Sequence, residues 1–575
     1  MSQQFSSIAT AQLLVKAFEL NHINQVVISP GSRNAPLTIA FSNHPSINTY
    51  SIVDERSAAF FALGMTQHLQ KPVAVICTSG SALANYYPAV TEAYYSQLPL
   101  IVLSADRPSH LLDIGDGQTI KQRHFFGEHV GYAANLKDDT HQQISVEDFN
   151  FNKTEVQAAI STAYQQQLPV HINAAFDEPL YHTTEKPFPE VESLSAIEFP
   201  EINKITEELV SKFINDWNSA ERKLVLVGVN SNFDFTKELV EVLANDPSVI
   251  VMTEVTSNIA HKHFFQNIDA LIAPVEQLDD AEVYFKGLQP DLLLSLGGML
   301  VSKKLKSFLR TYQPKAHYQV HPQRCLNTFF TNPIHLKSTV KQFSKQVVAK
   351  LQPVESNYFE HWYQQKTRIE TIRERYIQEI DYSDFKVFAS VFSALPKNEH
   401  MHFANSSTVR YANLFDSKTP LIAFSNRGTS GIDGSTSTAI GYALASQHPT
   451  TIITGDLSFF YDSNALWNNY LPPDFKIIVI NNSGGGIFRI LPGDKQADYF
   501  HTYFETRHQL TAKHLSKMFG LSYFSAENLN DLEVELSSFF ENSQKPKILE
   551  IFTPTEVNDQ VLLSYFKYIN KHLFR

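Results

Sequence analysis

Cysteine is nearly absent: Cys77 and Cys325 are the only two in 575 residues, far apart and outside any CxxC or Cys/His grouping. Neither a disulfide framework nor a structural zinc site can be built from them, and both are expected as buried small apolar residues. Long apolar runs are missing too. No stretch approaches the ~20 apolar residues of a membrane span, and the amino terminus, MSQQFSSIATAQLL, has no basic segment followed by an apolar one. Basic residues are outnumbered, with 47 Lys and Arg against 59 Asp and Glu and a net charge of -12, whereas a nucleic-acid surface needs a cationic excess. The expectation is a soluble cytoplasmic protein with no nucleic-acid partner and no membrane span. The composition, 43% hydrophobic and 18% charged, is also far from that of a disordered chain.

What is present is a repeated alternation of short apolar runs with longer amphipathic segments, the pattern of open parallel α/β sheets. Single cores stop growing near roughly 250–300 residues, so several domains are needed. Strands are expected at 25–29 (QVVIS), 73–78, 100–104 and 170–174, with a helix at 11–20, then at 223–227, 249–252 and 292–296, and finally at 402–404, 451–454, 476–480 and 548–552. The stretch 185–200 lacks either periodicity and reads as a linker, and the charged stretch 340–382 reads as a solvated helix bridging to the last block. Three domains are expected at 1–184, 200–345 and 380–575, each an open, mostly parallel sheet flanked by helices. The middle one has isolated glycines in VGVNSN and SLGGML but no GxGxxG, so a dinucleotide site is only weakly supported there. AYYSQLP at 93–99 and AYQQQLP at 163–169 echo each other, better explained as a shared helix-turn-strand solution than as a duplication.

The chemistry concentrates in TTIITGDLSFFYDSNALWNN. Gly455 and Asp456 lie just past a predicted buried strand, and the next strand, KIIVI, ends at Asn481 and Asn482. Ligands of open α/β sheets bind at such strand ends, and one crossover brings a carboxylate and an amide oxygen to the same edge. Two hard oxygen ligands suit Mg²⁺, and the Gly-rich turn Ser483 to Phe488 can approach a diphosphate, with the Gly484 carbonyl completing the coordination. Read alone, the same residues would also serve a capped helix and a turn. A literal GDG at 115–117 has neither a preceding strand nor a following Asn-Asn and reads as loop.

This GD…NN pair resembles the diphosphate motif of thiamine-diphosphate enzymes, although Leu457 stands where their third residue is usually Gly. VVISPGSRNAPLTIAF, SIVDERSAAFFALGM, TSGSALANYYPAV, LSADRP and GDGQTIKQ, followed by FANSSTVR, SNRGTSGIDG and NNSGGGIFRILP, together closely resemble the 2-succinyl-5-enolpyruvyl-6-hydroxy-3-cyclohexene-1-carboxylate synthase family of menaquinone biosynthesis. The likeness is densest at 26–127 and 402–492 and loose in the middle block.

The resemblance implies the thiamine-diphosphate-enzyme architecture, with a pyrimidine-binding domain first and a diphosphate- and Mg²⁺-binding domain last, Mn²⁺ being the alternative ion. It implies a homodimer or dimer of dimers with active sites between chains, and a carboligase that decarboxylates 2-oxoglutarate and adds the succinyl-semialdehyde carbanion equivalent to isochorismate in a 1,4 fashion. Glu55 in DER becomes the catalytic carboxylate at the aminopyrimidine; Ile432, Ile487 and Phe488 line the cofactor; Asp456, Asn482 and Gly484 hold metal and diphosphate. Arg33, Arg107, Lys303, Lys304, Arg410 and Arg427 bind substrate anions, helped by Ser32, Gln118 and Ser406, with Ile487, Phe488 and Leu491 as apolar walls. Arginine suits two-point recognition of a carboxylate. Any one of these cations, taken alone, would pass for a surface charge. Two other readings stay open: a different thiamine-diphosphate enzyme, such as an acetolactate-type synthase or 2-oxoacid decarboxylase, and a catalytically dead ligand-binding homologue.

Overall fold

The computed structural model describes residues 4–138, 144–199, 205–231, 233–416, 421–491 and 493–574; Pro200, which ends the expected linker, and Pro492, which ends the last quoted segment, lie outside them. The chain forms two compact units, one of Met1–Pro200, Asn426–His448 and Ser458–Phe475, the other of Glu201–Ser425, Pro449–Leu457 and Lys476–Arg575. Segments of the last sequence block thus belong to the first unit. No helix among the described residues is long and apolar enough to cross a membrane.

The first unit holds a parallel sheet of β1 (Gln25–Ile28), β2 (Asn48–Ser51), β3 (Val73–Cys77), β4 (Leu100–Asp106), β5 (Tyr132–Asn135) and β6 (Val170–Ala175), ordered β2-β1-β3-β4-β6-β5. Every residue of β3, β4 and β6 is buried, which is why these strands read as continuous apolar runs rather than alternations. The two echoing heptapeptides each end a helix, Tyr87–Ser96 and Val146–Gln166, in a left-handed Gln97 or Gln167 before a strand. They are one local capping solution used twice.

Also within this unit, the helices Glu55–Leu69 and Ser435–Ser446 cross at glycines. A Cβ on Gly64 would stand 1.9 Å from the Thr438 carbonyl oxygen, and one on Gly441 would stand 1.9 Å from that of Phe61. Backbone cannot yield as a side chain can, so the helices would have to separate. Gly441→Ala is expected to cost about 3 kcal/mol or more, at or beyond the upper end of overpacking penalties. Gly287→Ala, in the helix Ala281–Leu288, places its methyl where nothing lies within 4 Å and is expected to leave the thermal midpoint unchanged or higher. Melting the two variants beside the parent protein checks both outcomes.

The second unit carries two parallel sheets. One contains β7 (Lys223–Val227), β8 (Val249–Thr253), β9 (Leu292–Leu296), β10 (Ala316–Val320) and β11 (Ile334–Leu336), ordered β8-β7-β9-β10-β11. The other contains β12 (His400–Phe403), β13 (Ile422–Phe424), β14 (Thr450–Gly455), β15 (Lys476–Asn481), β16 (Ser522–Ala526) and β17 (Lys547–Phe552), ordered β13-β12-β14-β15-β17-β16. Its strand order repeats that of the first unit's sheet, so the internal repeat of this protein lies in topology, not in the echoing heptapeptides.

Two expectations are corrected. Residues 340–382 form two helices, Val340–Val347 and Tyr358–Glu379, and the second buries Tyr358, Trp362, Ile369, Ile372 and Tyr376. Their helical spacing makes one apolar stripe, while Glu, Lys, Arg and Gln on the other faces give the segment its solvated look. Cys325, expected inside, is exposed in the connection after β10; Cys77, in β3, is buried.

Candidate functional site

The six-stranded sheets reverse strand order between their first and third strands, the point where open α/β sheets bind ligands. In the first unit the loops after β1 and β3 flank this point. Ser32, exposed, lies 3.0 Å from the Tyr181 hydroxyl. Arg33 is buried; its Nη1 donates to the Phe176 carbonyl at 2.9 Å, and Nη2 is 3.4 Å from Glu178. Arg107 follows β4, half-buried, with Nη1 3.7 Å from Asp116 and its backbone N–H on Asp106 at 2.8 Å. Burial, and then repulsion from Arg107, lowers the Arg33 pKa. Two guanidiniums are therefore held close enough to repel, and the buried Nε of Arg107 has no partner among the described residues. Gln118 is exposed, with a left-handed φ of 56° and its backbone beside Gly80.

Glu55 opens its helix behind the cap Asp54, which accepts the Ser57 amide at 3.0 Å. Half-buried, it accepts Asn85 Nδ2 on Oε2 at 3.1 Å. Burial raises the Cys77 and Tyr86 pKa values, and the Glu55 charge adds to it. Ile432 is half-buried, its carbonyl accepting Ser458 Oγ at 3.0 Å. Just before it, the buried Glu92 clamps the loop that carries Arg427, accepting the amides of Gly428 and Thr429 at 2.7 Å each and the Thr429 hydroxyl at 2.9 Å. A Cβ on Gly428 would meet the Glu92 carbonyl at 2.5 Å, so the close approach requires glycine.

In the second unit, Asp456 stands at the end of β14, 2% exposed. Its Oδ1 accepts the Leu457 amide at 2.6 Å, its Oδ2 accepts the Gly484 amide at 2.9 Å, and His508 Nε2 lies 3.3 Å from Oδ2. The Leu457 contribution is a backbone one, so the usual glycine is not needed there. Asn482, after β15, donates Nδ2 to Asp384 at 3.1 Å, which fixes Oδ1 as the amide's remaining acceptor. Gly484 has φ 150°, and a Cβ there would stand 2.4 Å from the Glu505 carbonyl. Asp384 also takes the Thr553 hydroxyl at 2.6 Å; burial first, with Asp456 adding to it, pushes its pKa to about 6 against the pull of its hydrogen bonds. A buried carboxylate, an oriented amide oxygen and a tight glycine turn make a hard-oxygen donor set, and these residues fit Mg²⁺ with a diphosphate.

The remaining predicted residues of this unit lie on other elements. Ser406 takes a φ of 71° ahead of the helix Ser407–Ala412, and Arg410 donates from Nη1 to its carbonyl at 2.5 Å. Lys303 and Lys304 are exposed at the start of the helix Lys303–Thr311, Lys304 paired with Glu276. Ile487 and Phe488 are half-buried, Phe488 edge-on to Phe504 with centroids 5.7 Å apart, and Leu491 is exposed. The sequence reading missed Asp384, Glu92, His508 and Glu505. Glu505 is fully buried and holds Arg489, His501 and Arg507; burial would raise its pKa, but these donors bring it down to about 2. None of the four sits in a motif, so no local signal marks them.

Residues 8–133 match the family model described as "Thiamine pyrophosphate enzyme, N-terminal TPP binding domain". Proteins named 2-succinyl-5-enolpyruvyl-6-hydroxy-3-cyclohexene-1-carboxylate synthase match over nearly the whole chain. The one from Christiangramia forsetii is 49% identical, covering 98% of this chain and 100% of the relative. That from Flavobacterium johnsoniae is 48% identical over 98% and 99%, and that from Porphyromonas gingivalis 33% over 99% of each. The crystal structure of benzoylformate decarboxylase from Polynucleobacter necessarius shares the fold, with a TM-score of 0.70 at 15% identity, covering 96% of this chain and 99% of that one. This chain belongs to the 2-succinyl-5-enolpyruvyl-6-hydroxy-3-cyclohexene-1-carboxylate synthase family of thiamine-diphosphate-dependent enzymes.

Proposed function

We propose that this protein decarboxylates 2-oxoglutarate and joins the resulting four-carbon unit to isochorismate, releasing CO₂ and 2-succinyl-5-enolpyruvyl-6-hydroxy-3-cyclohexene-1-carboxylate, as a step of menaquinone biosynthesis in the cytoplasm. The observation that carries the substrate choice is the pair of arginines in the first unit: Arg33 is buried, and Arg107 keeps a buried Nε with no partner among the described residues, so guanidinium donors are on offer to an anion.

Thiamine diphosphate, when bound, supplies the nucleophilic thiazolium C2 and the electron sink for decarboxylation. Asp456 and Asn482, with the Gly484 carbonyl, would hold Mg²⁺, or Mn²⁺ in its place, which would supply the positive charge that offsets a diphosphate. Glu55 holds a proton at a pyrimidine ring nitrogen. Ile432, Ile487, Phe488 and Leu491 form apolar walls that exclude water. Arg33, Arg107, Arg410, Arg427, Lys303 and Lys304 orient the substrate carboxylates, with Ser32, Gln118 and Ser406 as neutral donors. In this reading residues 1–184 are the pyrimidine domain, 200–345 the central domain and 380–575 the diphosphate domain. Sites are completed between chains of a homodimer or dimer of dimers, and the exposed Val53, Tyr461 and Trp467 offer apolar surface for such pairing.

Purified protein with Mg²⁺, thiamine diphosphate and both substrates is expected to consume isochorismate only when 2-oxoglutarate is present. A folded, cofactor-loaded sample that leaves isochorismate untouched overturns the assignment, and turnover of pyruvate alone points to another member of the superfamily.

A further inference from the structure

The first turn of the helix Lys303–Thr311 is the reverse of what electrostatics favours. Two lysines open it and no acidic residue lies in that turn, although a helix amino terminus carries partial positive charge. Compensation comes from two acids on other elements of the same unit. Glu254, buried just beyond β8, takes the Val301 amide on both oxygens at 2.9 and 2.7 Å and the Ser302 amide on Oε1 at 2.7 Å. Asp269, in the helix Ile268–Ile272, accepts the hydroxyl of Ser302, and that same oxygen caps the lysine helix by accepting the Leu305 amide at 3.0 Å. The two acids thus fix where the lysine turn begins and how its cap is oriented.

The helix that carries Arg410, Ser407–Ala412, is tied to the same region: Asn413, which caps its end, accepts the amide of Val255, the residue after Glu254, at 2.7 Å. Burial lowers the Arg410 pKa, while Asp269 and Glu254 counter that shift. Asp269 in turn is raised by burial and drawn back by Ser302, Lys304 and Arg410. Residues of the central sheet region therefore face both the lysine turn and a cation anchored beside the switch point of the neighbouring sheet. We propose that Glu254 and Asp269 are positioning residues that set Lys303, Lys304 and Arg410 as one cationic group for a substrate carboxylate, which is what the central region contributes to the reaction. This rests on the reading that those three cations bind substrate.

Positioning and simple charge balance predict opposite signs. Asp269→Asn keeps an acceptor for Ser302 but removes a buried charge that acts on Arg410 and on Lys304, whose own ion pair is with Glu276. If Asp269 positions the cations, KM for 2-oxoglutarate or isochorismate rises roughly 10-fold, with kcat within about twofold, the pattern of lost uniform binding, and thiamine diphosphate affinity unchanged. If Asp269 only offsets positive charge, KM falls; if it only stabilises the fold, the melting temperature drops with both KM values unchanged. Either result overturns the inference. Ser302→Ala leaves both charges in place while cutting the link, and is expected to raise the same KM about threefold. Should Asp269→Asn fail to fold, Ser302→Ala decides by the same criteria. An inactive parent protein sinks the proposed function, whereas an active parent with unmoved KM in the variants sinks this inference alone.

Discussion

Glu55→Gln is expected to bind thiamine diphosphate within about threefold of the parent protein while losing roughly 10²- to 10⁴-fold in turnover, the usual contribution of a positioned acid or base. The geometry makes glutamine a fair isostere. The side-chain oxygen that accepts Asn85 Nδ2 at 3.1 Å survives the change, and so does the capped start of the helix, which depends on Asp54 and Ser57. What disappears is the capacity to exchange a proton with a pyrimidine nitrogen. Cofactor titration by fluorescence and steady-state rates on the same samples separate the two effects. Retained turnover would take Glu55 out of the chemistry, and lost cofactor binding would make it a structural ligand instead.

The strands were the most legible part of the sequence, for a physical reason. β3, β4 and β15 are buried on both faces, so each reads as an unbroken apolar run, and the motifs sit where those runs stop. Asp456 and Asn482 could be placed at one sheet edge from crossover logic alone, and β14 and β15 are indeed adjacent and parallel. Roles assigned by tertiary closure were not legible. Asp384 orients Asn482 from a helix far away in sequence, and Glu92 steadies the Arg427 loop from the other end of the chain. Gly228, Gly297 and Gly298 looked like isolated glycines; in the fold a Cβ on Gly228 would stand 2.0 Å from the Gly298 carbonyl. The two loops interlock across the crevice at those strand ends, leaving a cavity of only about 30 Å³. Charge count also misled at 358–379, where a buried aromatic stripe hides among ionic residues, and near-absence misled at Cys325, whose loop position outweighs the general tendency of cysteine to be buried.

Asp456→Asn is expected to weaken Mg²⁺ binding by about 100-fold or more, and thiamine diphosphate retention with it. Removing a residue that merely supports a metal ligand already costs roughly 10- to 100-fold, so neutralising the ligand itself costs at least as much. Local folding should survive: the Leu457 and Gly484 amides meet Oδ1 and Oδ2 at 2.6 and 2.9 Å, so one of them still finds an oxygen on the new amide, and the Asn482–Asp384–Thr553 bonds do not involve Asp456 as donor or acceptor. The other side of the amide brings an N–H₂ group that repels both an incoming cation and one of those amides, so the loss should exceed that of charge alone. Calorimetric titration of Mg²⁺ in the presence of thiamine diphosphate, beside a far-ultraviolet circular dichroism melt, reads the two consequences independently. An unchanged Mg²⁺ affinity in a folded variant would move the metal away from Asp456, leaving its burial beside His508 as the feature to explain. Leu457→Gly provides the matched control, since Asp456 depends there on a backbone N–H that glycine also has; installing the glycine usual among thiamine-diphosphate enzymes should change affinity little.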